Sequence, residues 1–435
     1  MKKILMILYK FPPSNDVGAF RPLKFINHLY KFGWQPTVLA PSNGIYFSYD
    51  PDLESSIDGK CKIVRVPMLF PSAKSDLLKP STLKTLKRLL WRIWNRLAVP
   101  DGVLAWIFSA IPAGIKIART KNIDIIFASG QPFSSFIIAS AISRIAQKKL
   151  ILDYRDTWTT NPFYKGSVYR RKFEKQLEKY VLRSARAAIF TSDRYRKHQT
   201  ENFGILNSRC KYYTITNSYE GSTAETINFQ PQNDFIVIHA GNLYGSPDPD
   251  VISRDPKVFF RGLSIAAALN KKFAATAKFI FYGVFNSKKL ERMCSTLGIG
   301  HMVIFKARIP QSQLFPAMQH ASVLLLINFC GPGHHVFIPA KFFDYLKAGR
   351  PIFCLSESGA LTQIINKTDS GVVVDPKNPV NVARELLHLY DRIHLRKIPF
   401  VIDPKKIAAY RSYQTTKYLA DICDKVIAAG CPNGQ

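Results

Sequence analysis

Acidic residues are scarce in this chain. Its 435 residues include 30 Asp and Glu against 61 Lys and Arg, a formal net charge of +31. The imbalance is steepest early: residues 1–220 hold 36 basic and 15 acidic side chains, residues 221–435 hold 25 and 15. A field of that sign draws anionic partners, and nucleic acid, an anionic membrane surface and phosphorylated substrates all fit it. Other absences narrow the choice. The seven cysteines (61, 210, 294, 330, 354, 423 and 431) form no Cys-x-x-Cys pair, which argues against a metal site and for a reducing compartment. No run of 18 apolar residues occurs, so no membrane-spanning helix is expected. No run of five basic residues occurs either, and the aromatics sit in apolar strands rather than on a basic platform, which argues against nucleic acid. The opening "MKKILMILYKFPPS" has too short an apolar run and no small-residue cleavage site for a signal peptide, and reads as a first buried strand.

What is present is a folded α/β chain. Hydrophobic residues make up 47% and charged residues 21% of the sequence, and the length suits two or three compact units. "KILMILY" (3–9) feeds the loop "FPPSNDVG". A helix pattern follows (Phe20, Leu23, Ile26, Leu29, Tyr30), stopped by Gly33, and then a strand at Thr37–Ala40. Apolar runs at 123–128, 149–153, 187–191 and 212–216 alternate with helix-like segments, as a doubly wound sheet requires. A second series runs through 234–245, 277–283, 302–310, 321–329, 350–356 and 371–376. The expected organisation is therefore an N-terminal Rossmann-like domain (1–217), a polar linker (218–233), a C-terminal Rossmann-like domain (234–405), and a final helical segment (406–435) that returns to the first domain. Such a pair would enclose a cleft, with ligands at the carboxyl ends of the strands.

Residues 81–99, "STLKTLKRLLWRIWNRLAV", stand apart. Leu83, Leu86, Leu90, Ile93 and Leu97 fall on one helical face, and Lys84, Arg88, Arg92 and Arg96 on the other. With Trp91 and Trp94 this is the composition of a helix in a membrane interface, and equally that of a surface helix packed on its own domain.

Three motifs carry candidate chemistry. "HAGNLYG" (239–245) follows a strand and spaces two glycines four apart, where backbone N–H groups can approach a phosphate; Gly241, Asn242 and Gly245 are the candidates. Arg254 and Lys257 then precede a helix and suit a diphosphate. In "IPAKFFDYLKAGRPI" (338–352), Lys341 and Asp344 share one face near a helix start, fitted to a phosphate and to ribose hydroxyls, or to each other as an ion pair. In the first half, Asp153, Arg155 and Asp156 end a strand, where they could orient an acceptor or move a proton, or form a structural salt-bridge cluster. The Asp-Pro-Asp triplets at 50–52 and 248–250 read as turns rather than a metal motif, and His334-His335 lack further ligands at suitable spacing. No metal is expected.

The chain resembles the GT-B-fold glycosyltransferases, specifically the retaining glycosyltransferase family 4. The resemblance spans nearly the whole sequence and is strongest over "IPAKFFDYLKAGRPIFCLSESGALTQIINKTDSGVVVDP" (338–376), similar to the family's donor-nucleotide segment. "FPPSNDVGAFRPLKFINHLYKFGWQPTVLAP" resembles its N-terminal glycine loop, helix and second strand, which implies that Gly18 and Arg21 bind the acceptor. By the same resemblance Gly241, Asn242 and Gly245 would lie by the donor, Arg254 and Lys257 would hold its diphosphate, and Asp344 its ribose. Asp344 occupies the second acidic position of the family's E-x7-E motif, whereas the first falls on Val336, a departure that puts in question how the sugar is held.

The resemblance implies two Rossmann-like domains facing across a cleft. It also implies a metal-independent, retaining hexosyltransferase with no cofactor, using a UDP- or GDP-linked sugar as substrate. The basic first half and the tryptophans suit a polyprenyl-diphosphate-linked or other glycan acceptor in surface polysaccharide biosynthesis. They place the protein in the cytoplasm, peripherally on the inner face of the membrane. A nucleotide-sugar epimerase, a non-catalytic basic protein binding membrane or nucleic acid, and a membrane-bound pseudoenzyme remain alternatives.

Overall fold

The computed structural model describes residues 1–44, 50, 52–55, 57, 59–69, 94, 98–164, 166–204, 209–221, 234–243, 254–331 and 333–429. The basic amphipathic run at 81–99 (apart from Trp94 and its last two residues), Gly245, the triplet 248–250 and most of the linker lie outside them.

Two compact units are present: Met1–Asn217 with Ser412–Gln435, and Ser218–Arg411. In the first, strands β1 (Lys2–Ile7), β2 (Trp34–Pro41), β3 (Lys62–Val66), β4 (Ile125–Gly130), β5 (Lys149–Tyr154), β6 (Ala187–Phe190) and β7 (Lys211–Thr214) form one parallel sheet. Its order is β3-β2-β1-β4-β5-β6-β7. In the second, β8 (Phe235–Ala240), β9 (Ala277–Tyr282), β10 (Val303–Lys306), β11 (Val323–Ile327), β12 (Ile352–Leu355) and β13 (Gly371–Val374) pair in the order β10-β9-β8-β11-β12-β13, again parallel. Each order reverses once, between β1 and β4 and between β8 and β11. At such a switch point the loops leaving the carboxyl ends part to either side and open a crevice for ligand.

The strand interiors read as continuous apolar runs because parallel strands are covered on both faces. The edge strand β3 departs from that pattern. "KIVRV" is interrupted by Arg65 and largely half-buried, so it carries no clear signal, and the sequence reading passes over it. β10 is shorter than the expected 302–310, ending at Lys306 before the exposed "ARIP".

The helices that matter below are α1 (Val17–Leu29), α2 (Ile107–Thr120), α3 (Ser134–Ile145), α4 (Val168–Ser184), α5 (Asp193–Phe203), α6 (Lys257–Leu269), α7 (Lys341–Ala348), α8 (Ala360–Thr368), α9 (Pro379–Tyr390) and α10 (Ser412–Ala428). Their ends follow capping chemistry. Ser167 and Ser192 accept from Arg170 N and Tyr195 N at the starts of α4 and α5, and Asn378 caps α9, with Pro379 in its first turn. Gly349 closes α7 at φ +71°, the left-handed conformation that ends a helix. The Arg350 guanidinium then donates to the Gln319 carbonyl (2.6 Å), and Pro351 forbids continuation, which accounts for the sharp corner at Gly-Arg-Pro.

α10 belongs to the first unit. Leu419, Ala420, Ile422, Cys423 and Val426 are buried in the same core as Ile4, Met6, Leu29 and Trp34. Asp424 accepts from Trp34 Nε1 (3.1 Å) and pairs with Lys2 (2.8 Å). Full burial of each larger aliphatic side chain contributes about 1.5–3 kcal/mol. Residues 406–411, expected to travel with that helix, stay in the second unit, where Tyr410 accepts from Tyr219 N (3.0 Å). The described cysteines are all free thiols. Among the described residues no helix is long and apolar enough to cross a membrane, and no cluster of three potential metal ligands occurs.

Candidate functional site

The β8/β11 switch point of the second unit holds two shielded cationic atoms, Lys341 Nζ and Arg254 Nε. β8 ends in His239 and Ala240, and Gly241 turns the chain away at φ +95°. α7 is pinned there by Tyr345, whose buried hydroxyl accepts from Ala240 N (2.8 Å) and donates to the Leu325 carbonyl of β11 (3.3 Å). Lys341 lies one helical turn before Tyr345 on the same face. A Cβ placed on Gly241 would stand 3.2 Å from the Lys341 ammonium nitrogen.

That Nζ is shielded from solvent and has no hydrogen-bond partner among the described residues, and the same holds for Nε of Arg254. Burial, and then the neighbouring Arg254 charge, lowers the Lys341 pKa from 10.5 to about 7. His239 is fully buried, with Nδ1 3.0 Å from the Leu325 carbonyl and Nε2 3.1 Å from that of Gly241. Burial and the charges of Lys341 and Arg254 hold it well below its ordinary pKa, hence neutral. Positive charge shielded from solvent, with no counter-charge among the described residues, is costly unless something supplies one. A bound anion does so, and the site offers it a glycine turn with no Cβ in the way.

Of the predicted donor residues, Gly241, Arg254 and Lys341 meet here, and Asn242 adjoins them, its Oδ1 accepting from Phe285 N (3.4 Å). Lys257 is not brought in: it is half exposed and 3.4 Å from Asp255. No hydrogen bond joins Asp344 to Lys341, whose Nζ has no such partner among the described residues. Val336, at the missing acidic position, is buried in the short turn His334–Val336. His334 is engaged in protein contacts, with the Gly331 carbonyl (2.6 Å) and Glu357 (3.3 Å), and Glu357 also holds Lys377 (2.6 Å). His239 and Tyr345 were not foreseen. The i, i+4 spacing of Tyr345 from Lys341 was the available signal.

The first unit has its own polar cluster at the β1/β4 switch point, and part of it is structural. Asp153 was a candidate for proton transfer and Arg21 for the acceptor, but they are spent on each other. Both are buried, with Arg21 Nη2 2.8 Å from Asp153 Oδ1 and Nε 3.1 Å from both carboxylate oxygens. Ser129 donates to Asp153 (2.7 Å), and Arg21 also donates to the carbonyls of Ile215 (2.9 Å) and Thr216 (2.7 Å). A carboxylate so saturated has no access to a substrate proton.

Arg155 and Asp156, past the strand end, are half-buried. The Arg155 guanidinium donates to the carbonyls of Gly130 (3.0 Å) and Gln131. Gly18 is close by: a Cβ there would stand 2.0 Å from Arg155 Nη1 and 2.7 Å from Lys10 Cδ. Burial and then the Arg155 charge lower the Lys10 pKa, opposed by Asp16 and Asp156. The sequence had not marked Lys10 or Asp16.

Gly241→Ala tests the turn itself. An L-residue at φ +95° is strained by about 1–3 kcal/mol, and its methyl group would press on Lys341. Thermal unfolding is expected to fall by that amount, and anion binding at the site to weaken with it.

No family model matches this chain, and no curated protein matches it by sequence. Solved structures do match. A glycosyltransferase from Rickettsia africae superposes with a TM-score of 0.65 at 10% identity over 98% of each chain. The N-terminal domain of Candida albicans trehalose-6-phosphate phosphatase gives 0.61 at 11% identity over 99% of this chain and 97% of the other. Anabaena HepE, solved with UDP-glucose, gives 0.56 at 14% identity over 99% of each chain. The fold is thus GT-B: two parallel-sheet α/β domains of seven and six strands.

Proposed function

We propose that this protein is a glycosyltransferase that binds a nucleoside-diphosphate sugar at the β8/β11 switch point of its second unit. The observation that carries the reading is the pair of shielded cationic atoms without a hydrogen-bond partner among the described residues, Lys341 Nζ and Arg254 Nε, beside the glycine turn at 241. They suit a diphosphate. As the glycosidic phosphate bond breaks, negative charge builds on the leaving diphosphate, and preorganised cations stabilise it without a metal. Asp344, one helical turn into α7, is assigned to the ribose. The fold shared with HepE, solved with UDP-glucose, makes UDP the first nucleotide to try.

The sequence resemblance to glycosyltransferase family 4 adds the finer assignments: retention by same-face attack, with the leaving phosphate taking the acceptor proton. It also supports an acceptor in the first unit, near Gly18, Lys10, Arg155 and Asp156. That cluster and the basic first half favour an acceptor that itself carries phosphate, such as a polyprenyl-diphosphate-linked glycan of surface polysaccharide assembly. The protein would work on the cytoplasmic face of the membrane.

Calorimetric titration with UDP, GDP and their hexose conjugates tests the donor site, and saturable binding of one of them is expected. Failure of all of them to bind would end the reading. The pH dependence is specific. With a free amine pKa of about 7, Lys341 is already an ammonium below pH 7 and must take up a proton to pair with phosphate above it. Affinity for a nucleotide sugar should be flat below pH 7 and fall by up to about tenfold per unit above it. Lys341→Met should remove that slope.

A further inference from the structure

The outward face of α4 pairs an aromatic ridge with a row of positive charge. Tyr169 is 84% exposed, Phe173 60% and Tyr180 43%. At 100° per residue the three fall within about 40° of one another, opposite the buried Glu174, Glu178, Val181 and Leu182. Lys172, Lys179 and Arg183 run along one side of the ridge.

Both glutamates of the helix face inward. Glu174 accepts from Trp158 Nε1 (2.9 Å) and Arg170 (2.8 Å), and Glu178 accepts from Thr159 Oγ1 (2.6 Å) and Gln199 (2.8 Å). The face left to solvent therefore carries no acidic residue of α4. It continues onto the end of α3, where Arg144 donates to the Tyr180 hydroxyl (2.6 Å) and stacks over its ring, and Ile145 is half exposed.

We propose that this face docks the first unit onto an anionic lipid surface. Exposed rings at i, i+4 and i+11 can enter the headgroup region, and tyrosine suits it because one end of its ring is apolar and the other polar. The adjoining lysines and arginine meet acidic headgroups, each adding roughly a severalfold gain in partitioning. A folded protein partner fits less well, because lysine is depleted from protein interfaces whereas here it lines the ridge. The inference deepens the glycosyltransferase reading by naming a surface that would bring a lipid-carried acceptor within reach, yet its test does not depend on catalysis.

The test is sedimentation of the full chain with vesicles of phosphatidylcholine alone and with phosphatidylglycerol added. The wild type should pellet only with the anionic vesicles. Tyr169→Ser with Phe173→Ser, and separately Lys172→Gln with Lys179→Gln, should each lower partitioning on the order of tenfold or more. These positions are not in the core, so circular dichroism and nucleotide-sugar affinity should match wild type in both variants. A wild type that fails to bind anionic vesicles overturns the proposal. So does a double variant that still binds as well, which would assign the contact to another surface. Self-association of the wild type that is lost in the ridge variant would make the face a protein interface and overturn it too. Loss of nucleotide binding in the wild type would instead count against the donor site and leave the docking result standing.

Discussion

Replacing Lys341 by methionine is expected to stabilise the ligand-free chain and, in the same protein, to weaken nucleotide-sugar binding at least thirtyfold. The two effects have one cause. Lys341 carries its amine into a place with no counter-charge among the described residues, beside Arg254 and the neutral His239. Its pKa is 10.5 unfolded and about 7 folded. Below pH 7 both states are protonated, and the folded state bears the full cost of a buried ammonium. As pH rises from 7 towards 10.5 the folded protein sheds a proton that the unfolded chain keeps, so the cost fades. Methionine has a similar length and no charge. The gain in unfolding temperature over wild type should therefore be largest at or below pH 7 and vanish near pH 10.5. For the ligand the sign reverses, since truncating one partner of a buried charge pair costs about 2–5 kcal/mol. Thermal unfolding at several pH values, with calorimetry alongside, reads both. A lysine with only a structural role would give lower stability on substitution and unchanged binding.

Much of this was legible in the chain, and the exceptions have physical reasons. The buried strands announced themselves because parallel strands covered on both faces are apolar throughout. β3 did not, because an edge strand has one open side and tolerates Arg65 and Lys62. The glycine turn at 241 and Lys341 could be marked by residue type and position. That they meet Arg254 at one point depends on the crossing of β8 and α7 and on the Tyr345 hydroxyl bridging Ala240 and Leu325, long-range contacts that no local pattern encodes. Lys257 looked as suitable as Arg254 in one dimension, and a pairing with Asp255 takes it elsewhere. In the first unit, residue types alone left Asp153 open between chemistry and structure. Its partner Arg21 lies 132 positions away, and only the fold shows that the two charges cancel.

That cancellation gives the second large effect. Asp153→Ala leaves the Arg21 guanidinium buried with its carbonyl partners but without its counter-ion, and breaking such a pair costs about 3–5 kcal/mol. In a unit of this size that corresponds to a fall of roughly 10 °C in its unfolding transition. The unit-1 transition should be followed by itself, because two units need not unfold as one. Nucleotide-sugar binding by the second unit should be kept below that temperature. Arg21→Met combined with Asp153→Leu should recover most of the loss, since neither variant side chain then leaves a charge unpaired in the core. If Asp153 were instead a base exposed to substrate, Asp153→Ala would unfold like wild type and the double replacement would recover nothing. The two outcomes separate cleanly, because a carboxylate cannot both saturate Arg21 and Ser129 and remain open to a substrate hydroxyl. What stays open to solvent in the first unit is the half-buried pair beyond the strand end, Arg155 and Asp156, beside Lys10.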